Sequence, residues 1–188
     1  LGRYTGSSMF QYPEAEEVLA QEGWPRDTRL QADPPEHQNY RAVAGKSFTA
    51  GRIKKLAPFI EELVDIQISQ LAGKDTCEFM SDFAAAIPIG VVTKLLGLPA
   101  EDAPQIKRWS DAWVEPLTYG ITPEREVEVA RLGVELQQYL AKAMEEKRVS
   151  PSEDVLTELA LARFPDGSEW PMGERMGIAE HLIVGGHE

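Results

Sequence analysis

The sequence predicts a mainly α-helical domain. Apolar residues recur at helical spacing along most of the chain, and the stretches that carry them begin at proline, aspartate or threonine and end near glycine. One short stretch, 76–80, favours a strand, so helix far outweighs strand. The chain has 188 residues, 43% of them hydrophobic and 27% charged, which suits one domain with a sizeable core.

Helix starts and stops divide the chain in order. Asp33 can cap a helix whose first turn takes Pro34, with Glu36 at the capping-box position. Thr122-Pro123-Glu124 opens the longest helix, and Phe164-Pro165-Asp166-Gly167 is a turn. The predicted helical ranges are 13–21, 34–44, 50–72 with an interruption at Pro58, 81–96 with a break near Pro88, 104–115, 122–147, 150–162 and 171–188.

Two of these helices carry a clear apolar face, which predicts their buried sides. In 104–115 the face consists of Ile106, Trp109 and Trp113. In 122–147 the stripe is Val129, Leu132, Leu136, Leu140 and Ala143.

Composition and charge exclude several classes of function. The net charge of −12 and pI near 4.8 make the chain a poor nucleic-acid binder. No apolar run approaches the roughly 20 residues that span a bilayer. One cysteine, Cys77, rules out an internal disulfide, suits a cytoplasmic protein and is expected to be a small core residue. The chain starts at Leu1 and ends in mid-helix, so we expect a segment of a longer protein, forming one partial domain over 1–188.

The last stretch, from Pro171 to Glu188, is the most informative. Its apolar residues lie almost all round a helical wheel, which predicts a buried helix, yet two adjacent glycines interrupt them. One face carries residues at i, i+3, i+4 and i+7, namely His181, Val184, Gly185 and Glu188. Such a face lets a flat or bulky group lie against bare backbone. The alternative is a simple helix crossing at the glycines.

His37 and Arg41 stand four residues apart on the helix that Asp33 caps. Two such groups on one face can hold paired carboxylates or a phosphate. The alternative is a solvated face on which Arg41 pairs with Glu36 or Glu14.

Other sites find less support. Gly45-Lys46-Ser47 resembles part of a phosphate loop, but Tyr40 stands where its first glycine belongs and no strand precedes it. His181 and His187 lie on different helical faces, which argues against a zinc site and leaves no metal site in this segment. No Ser-His-Asp arrangement follows from spacing.

Several segments resemble bacterial cytochrome P-450 monooxygenases, in that family's order and spacing. They are Asp33-Pro34-Pro35-Glu36-His37 with Arg41 and Phe48-Thr49, Ser81-Asp82-Phe83-Ala84 through Leu95-Leu96-Gly97-Leu98-Pro99, Arg108-Trp109-Ser110-Asp111-Ala112, Asp154-Val155-Leu156-Thr157-Glu158-Leu159, and Leu182-Ile183-Val184-Gly185-Gly186-His187-Glu188. The match covers roughly the B helix to the middle of the family's central I helix. It implies a partial P-450-type helical fold, truncated in the I helix.

The resemblance implies a function and a role for each matching residue. His37 and Arg41 would hold haem propionates, Gly185 and Gly186 would leave room over haem b, and Glu188 would be the acid that delivers protons. The intact protein would insert one oxygen atom of O2 into a small apolar organic substrate, with electrons from a ferredoxin or flavoprotein. No nucleic-acid or membrane partner is expected.

The segment also departs from the family. The alcohol that follows the acid, and the haem-binding cysteine loop, lie outside it, and the surroundings of Cys77 do not match that loop. The 188 residues alone are therefore expected to be inactive. The rival hypothesis is a non-catalytic helical domain that keeps the fold without haem.

His181 is a further departure, because the family usually has an apolar residue there. A buried imidazole without a partner costs free energy. We expect either a structural hydrogen bond, for example to a glutamate on a neighbouring helix, or a polar group on a substrate that also contacts Val184.

Overall fold

The computed structural model describes residues 10–24, 33–34, 37–38, 41, 45–118, 120–164 and 167–187, apart from the side chains of Lys46 and Ser47. Within these ranges the fold is helical, as predicted, and the one β feature is an isolated bridge between Arg163 and Glu169. The α-helices are α1 Pro13–Glu22, α2 Ala50–Leu71, α3 Ala86–Leu96, α4 Ala103–Val114, α5 Pro123–Val149, α6 Val155–Ala160 and α7 Met172–His187. A π-helical turn, Met80–Ala84, precedes α3.

The core is built around α5, which packs against α1, α4 and α6, while α7 packs against α3, α4 and α5. The predicted stripe on α5 is confirmed at its first four positions, which are buried, and Ala143 is half-buried. The face of α4 is also buried as predicted, at Ile106, Trp109 and Trp113. Together with α3, these two helices support α7.

Side-chain caps begin α5 and α6, and the start at Thr122 is as predicted whereas the one at Asp154 is not. Thr122 Oγ1 accepts from the backbone N of Arg125 at 3.3 Å, and Asp154 Oδ1 accepts from that of Thr157 at 2.8 Å. Burial opposes the charge on Asp154, but hydrogen bonds from Lys147, Ser152 and Thr157 outweigh it and hold the carboxyl pKa below its usual value. Because Asp154 is the cap, α6 begins at Val155, five residues later than predicted.

The predicted interruption at Pro58 is wrong, since α2 runs through it. Proline removes one helical hydrogen bond, to the carbonyl of Lys54. Both residues are exposed, so water can satisfy that carbonyl and the helix continues.

The predicted strand at 76–80 is also wrong. Residues 76–78 are irregular, and Phe79 leads into the π-helical turn. Cys77 is exposed rather than a core residue, because it lies in this connection and not on a packed helix face. A strand needs a partner strand, and the described residues on either side are helical.

The break predicted near Pro88 falls instead at Ala85, between the π-helical turn and α3. Pro88 is the third residue of α3, where a helix needs no backbone N–H donor. Of the turn predicted at 164–167, Pro165 and Asp166 lie outside the described residues, and the N–H of Gly167 donates to the carbonyl of Phe164 at 2.9 Å.

None of the described helices is long and apolar enough to span a membrane.

Candidate functional site

Helix α7 is the element on which the predicted site is built. Its first half is buried, as predicted, at Glu174, Arg175, Met176, Gly177, Ile178, Ala179 and Glu180. Exposure increases towards the end, where Ile183 is still buried but Gly185 and Gly186 are exposed. The last turn of the helix is therefore more exposed than its first half, with surroundings that differ from residue to residue.

The two glycines lie in different surroundings. A Cβ built on Gly186 would lie 3.0 Å from Cγ2 of Val92 on α3, which is tighter than ordinary contact. A Cβ built on Gly185 meets nothing within 4 Å. Of the two interpretations of this glycine pair, the helix crossing applies to Gly186. The open face applies to Gly185.

His181 is half-buried and makes two contacts. Its Nδ1 lies 2.6 Å from the carbonyl oxygen of Gly177, one turn earlier on α7. Its ring meets the ring of Trp113 on α4 edge to face, with centroids 5.3 Å apart and planes at 72°. The structural partner is thus a backbone carbonyl and not a glutamate. Val184, three residues on, is half-buried.

His187 makes contacts that the sequence did not indicate. Its Nδ1 lies 3.1 Å from the carbonyl of Ile183 and 3.3 Å from Oγ of Ser110 on α4. Its Nε2 lies 3.7 Å from Oδ1 of Asp111, and its side chain is 2% exposed. These contacts join the end of α7 to α4. No sequence signal could have found them, because they depend on how the two helices are placed side by side.

Two buried side chains of α5 bind the segments on either side of α1. Gln137 donates to the carbonyl of Trp24 at 3.0 Å, accepts from its N–H at 2.8 Å, and donates to Glu180 of α7 at 3.1 Å. Glu126 accepts from the N–H groups of Gln11 and Tyr12, at 2.8 Å each. Backbone atoms on both sides of α1 are therefore bound to α5, and Gln137 also joins α5 to α7.

The start of α7 is fixed by a carboxylate with three arginines. Glu169 pairs with Arg148 at the end of α5, with Arg163, and with Arg175 of α7, at 3.1, 2.9 and 3.3 Å. The pKa of Glu169 is lowered to about 2, mainly by the hydrogen bonds and the positive charge of Arg148. Arg175 and Arg163 lower it further.

The other predicted site residues lie partly outside the described ranges. Glu188 is outside them, so its role stays a prediction. His37 and Arg41 are both helical, and the N–H of His37 donates to the carbonyl of Asp33 at 3.4 Å. Arg41 is exposed and forms an ion pair with no carboxylate of the described residues, Glu14 included. Its guanidinium is therefore available to an anion, but propionate binding itself stays a prediction.

Two features of the described residues are compatible with a bound haem. Gly185 borders open space, and Arg41 presents a cation without an ion-pair partner in the described chain. A separate cavity of about 570 Å³ lies between α2, α3 and α4, with Lys94 and Lys107 among its mainly apolar lining. No residue of α7 lines it, so it is not the predicted site. The described residues contain no group of three or more His, Cys, Asp or Glu that could hold a metal ion.

Comparison with known proteins agrees with this architecture, although no family model matches the chain. The chain is 33% identical over 159 residues to cytochrome P450 107B1 of Saccharopolyspora erythraea, covering 85% of this chain and 37% of the relative. It is 32% identical over 161 residues to the cytochrome P450 monooxygenase PikC of Streptomyces venezuelae, with 85% and 37% covered.

Solved structures agree as well. Cytochrome P450 CREJ, solved in complex with (4-ethylphenyl) dihydrogen phosphate, superimposes with a TM-score of 0.83 at 27% identity, over 94% of this chain and 44% of that one. The chain spans well under half the length of the curated relatives it matches. Sequence and fold together lead to one conclusion: over the part that it spans, the chain belongs to the cytochrome P450 family.

Proposed function

We propose that the full-length protein containing these residues is a haem-thiolate monooxygenase that inserts one oxygen atom of O2 into a small apolar organic substrate. The observation that carries the proposal is the free side of α7 at Gly185, on the helix whose sequence resembles the family's I helix. Family membership supports an oxidoreductase of this type. Residues 1–188 would form one partial domain of it, in the cytoplasm.

The residues of this chain would bind and orient the reactants. His37 and Arg41 would hold the haem propionates through charge-assisted hydrogen bonds, worth about 1.5–3 kcal/mol each. Gly185 would leave room for the haem directly. Gly186 would contribute indirectly, by letting α7 pack closely on Val92 of α3. His181 and Val184 would contact the substrate from the same helix.

Haem, when bound, supplies the dioxygen and electron chemistry, with electrons from a ferredoxin or flavoprotein. The cysteine that would hold the haem is expected outside these 188 residues, so the segment alone should be inactive. Glu188 would carry a proton to the open side of α7, because a carboxyl group that relays protons must lie beside the reacting oxygen. Glu188→Gln should slow product formation about 10²–10⁴-fold with haem content unchanged.

The decisive test is the absorbance spectrum of the reduced, CO-bound full-length protein. A thiolate-type Soret band is expected. Its absence in purified, haem-reconstituted protein would favour the rival, a helical domain that keeps the fold without haem.

A paired substitution tests the propionate role. Arg41→Ala should lower haem occupancy more than it lowers the helical circular dichroism signal. Arg131→Ala, at an exposed arginine of α5, is the matched control and should change neither. Unchanged haem occupancy in Arg41→Ala would show that Arg41 does not anchor the cofactor.

A further inference from the structure

The two ring nitrogens of His181 are not equivalent. Nδ1 lies 2.6 Å from the carbonyl oxygen of Gly177, and a carbonyl oxygen only accepts hydrogen bonds. Nδ1 must therefore carry the hydrogen. In the neutral ring, Nε2 is then an acceptor with a free lone pair.

Nε2 is the nitrogen that remains for a ligand. In the described part of the chain His181 makes one hydrogen bond, through Nδ1, and Nε2 is not among the buried atoms that lack a partner. Because Nε2 has no hydrogen-bond partner in the described chain and is not a buried atom without one, this edge of the half-buried ring has accessible surface.

The orientation of the ring is set by its hydrogen bond to Gly177. Exchanging Nδ1 and Nε2 by a ring flip would break the hydrogen bond to Gly177. The edge contact with the buried ring of Trp113 holds the plane of the ring, which such a flip would preserve. The hydrogen bond to Gly177 therefore selects the orientation in which Nε2 is the acceptor.

His181 lies four residues before Gly185, about 6 Å along the same face of α7. Gly185 borders open space. The acceptor therefore stands at one end of the side on which Gly185 leaves room.

We infer that the substrate carries a hydrogen-bond donor, an alcohol or an N–H group, which donates to Nε2 of His181 on an otherwise apolar molecule. This inference rests on the proposed function and narrows its substrate class. A ketone, ether or carboxylate would place its own lone pairs against that of Nε2 and leave both groups unsatisfied.

The expected preference is modest but measurable. A net hydrogen bond to a neutral partner corresponds to about a two- to tenfold change in affinity. The experiment therefore compares molecules of one shape that differ only in hydrogen-bonding capacity.

The test uses the haem-loaded full-length protein with cyclododecanol, cyclododecanone and cyclododecane, titrated by the change in haem spin state at about pH 8, where an ordinary imidazole is neutral. The alcohol should bind about two- to tenfold more tightly than the ketone and the hydrocarbon. A ketone that binds as tightly as the alcohol overturns the inference. The wild-type comparison does not depend on the folding of any variant.

Substitutions assign the preference to the residue. His181→Leu should remove the preference for the alcohol and keep hydrocarbon binding. Val184→Ala, on the same helix face, should weaken all three ligands by a similar factor. Retention of the preference in His181→Leu contradicts the inference.

A ligand-free measurement decides the matter if no probe binds. The ¹⁵N spectrum of labelled histidine in the diamagnetic CO-bound protein should show His181 with hydrogen on Nδ1, and hydrogen on Nε2 overturns the inference. Failure of the proposed function would show separately, as the absence of the thiolate-type Soret band before any titration.

Discussion

Helices α5 and α2 are the two longest in the described chain, and they differ most in burial. Ten of the 27 residues of α5 are buried, whereas none of the 22 residues of α2 is. Yet α2 is the more apolar of the two by sequence. Its Ile53, Ile66 and Ile68 are 46%, 46% and 54% exposed. An apolar stripe thus predicts that a helix has a face to bury, but not that a partner lies within the same stretch of chain.

The largest expected effect comes from truncating a side chain in each helix. Leu140→Ala in α5 should lower the free energy of unfolding by about 2.7–5 kcal/mol, because Leu140 is 0% exposed and leaves a cavity. Ile68→Ala in α2 should cost at most about 0.5 kcal/mol. Urea unfolding measures both. Similar losses would mean that α2 is buried in the protein as it exists in solution.

The glycines that follow α3 and α2 differ in the same way, since one is packed and the other lies in open space. Gly97 after α3 and Gly73 after α2 both have left-handed φ, at 74° and 82°. A Cβ on Gly97 would clash with the carboxyl group of Asp154, whereas one on Gly73 meets nothing within 4 Å.

Gly97→Ala should therefore cost about 2–4 kcal/mol, and Gly73→Ala about 1–2 kcal/mol from φ alone. The difference between the two losses of stability measures the steric cost of the contact between the new Cβ at position 97 and Asp154. Equal melting curves for the two variants would argue that Asp154 moves aside at no cost.

Two neighbouring glutamines test the hold of α5 on the segment after α1. Gln137→Leu leaves the backbone groups of Trp24 without their partner and should cost about 1–3 kcal/mol. Gln138→Leu loses one exposed hydrogen bond, to the carbonyl of Glu22 at 3.3 Å, and should cost about 0.5 kcal/mol or less. Chemical denaturation compares them, and the reverse order would contradict the buried role of Gln137.

The smallest expected effect is the pH dependence from Glu169, which links the end of α5 to the start of α7. Its pKa is about 2 in the folded chain, against an ordinary value of 4.5. The lower folded pKa means that its stabilising contribution is full above about pH 4.5 and is lost as the pH falls towards 2.

Glu169→Gln should accordingly be less stable than wild type at about pH 6, and the gap should narrow at about pH 3. Unfolding midpoints at both values test this. Glu146→Gln, whose exposed partner Lys142 lies 4.0 Å away, is the control and should show no gap at either pH. A gap that stays constant with pH would exclude titration of Glu169 as its cause.

Local signals determined much of this protein. Proline and threonine starts, glycine ends and apolar stripes correctly predicted α1, α4, α5 and the buried half of α7, because helix formation and capping depend on residues within a few positions of each other. The same signals failed at Pro58 and at 76–80, where exposure to water and the lack of a partner strand decided the outcome.

The sequence alone identified the face of α7 that carries His181, Val184 and Gly185, since positions three and four apart share a face by helical geometry. Only the tertiary structure distinguished Gly186, which packs on Val92, from Gly185, which borders open space. Only it gave His181 a backbone partner and His187 its contacts with Ser110 and Asp111. The contacts of Gly186 and His187 join residues far apart in the chain, and the periodicity of one helix contains no information about the side chains of another.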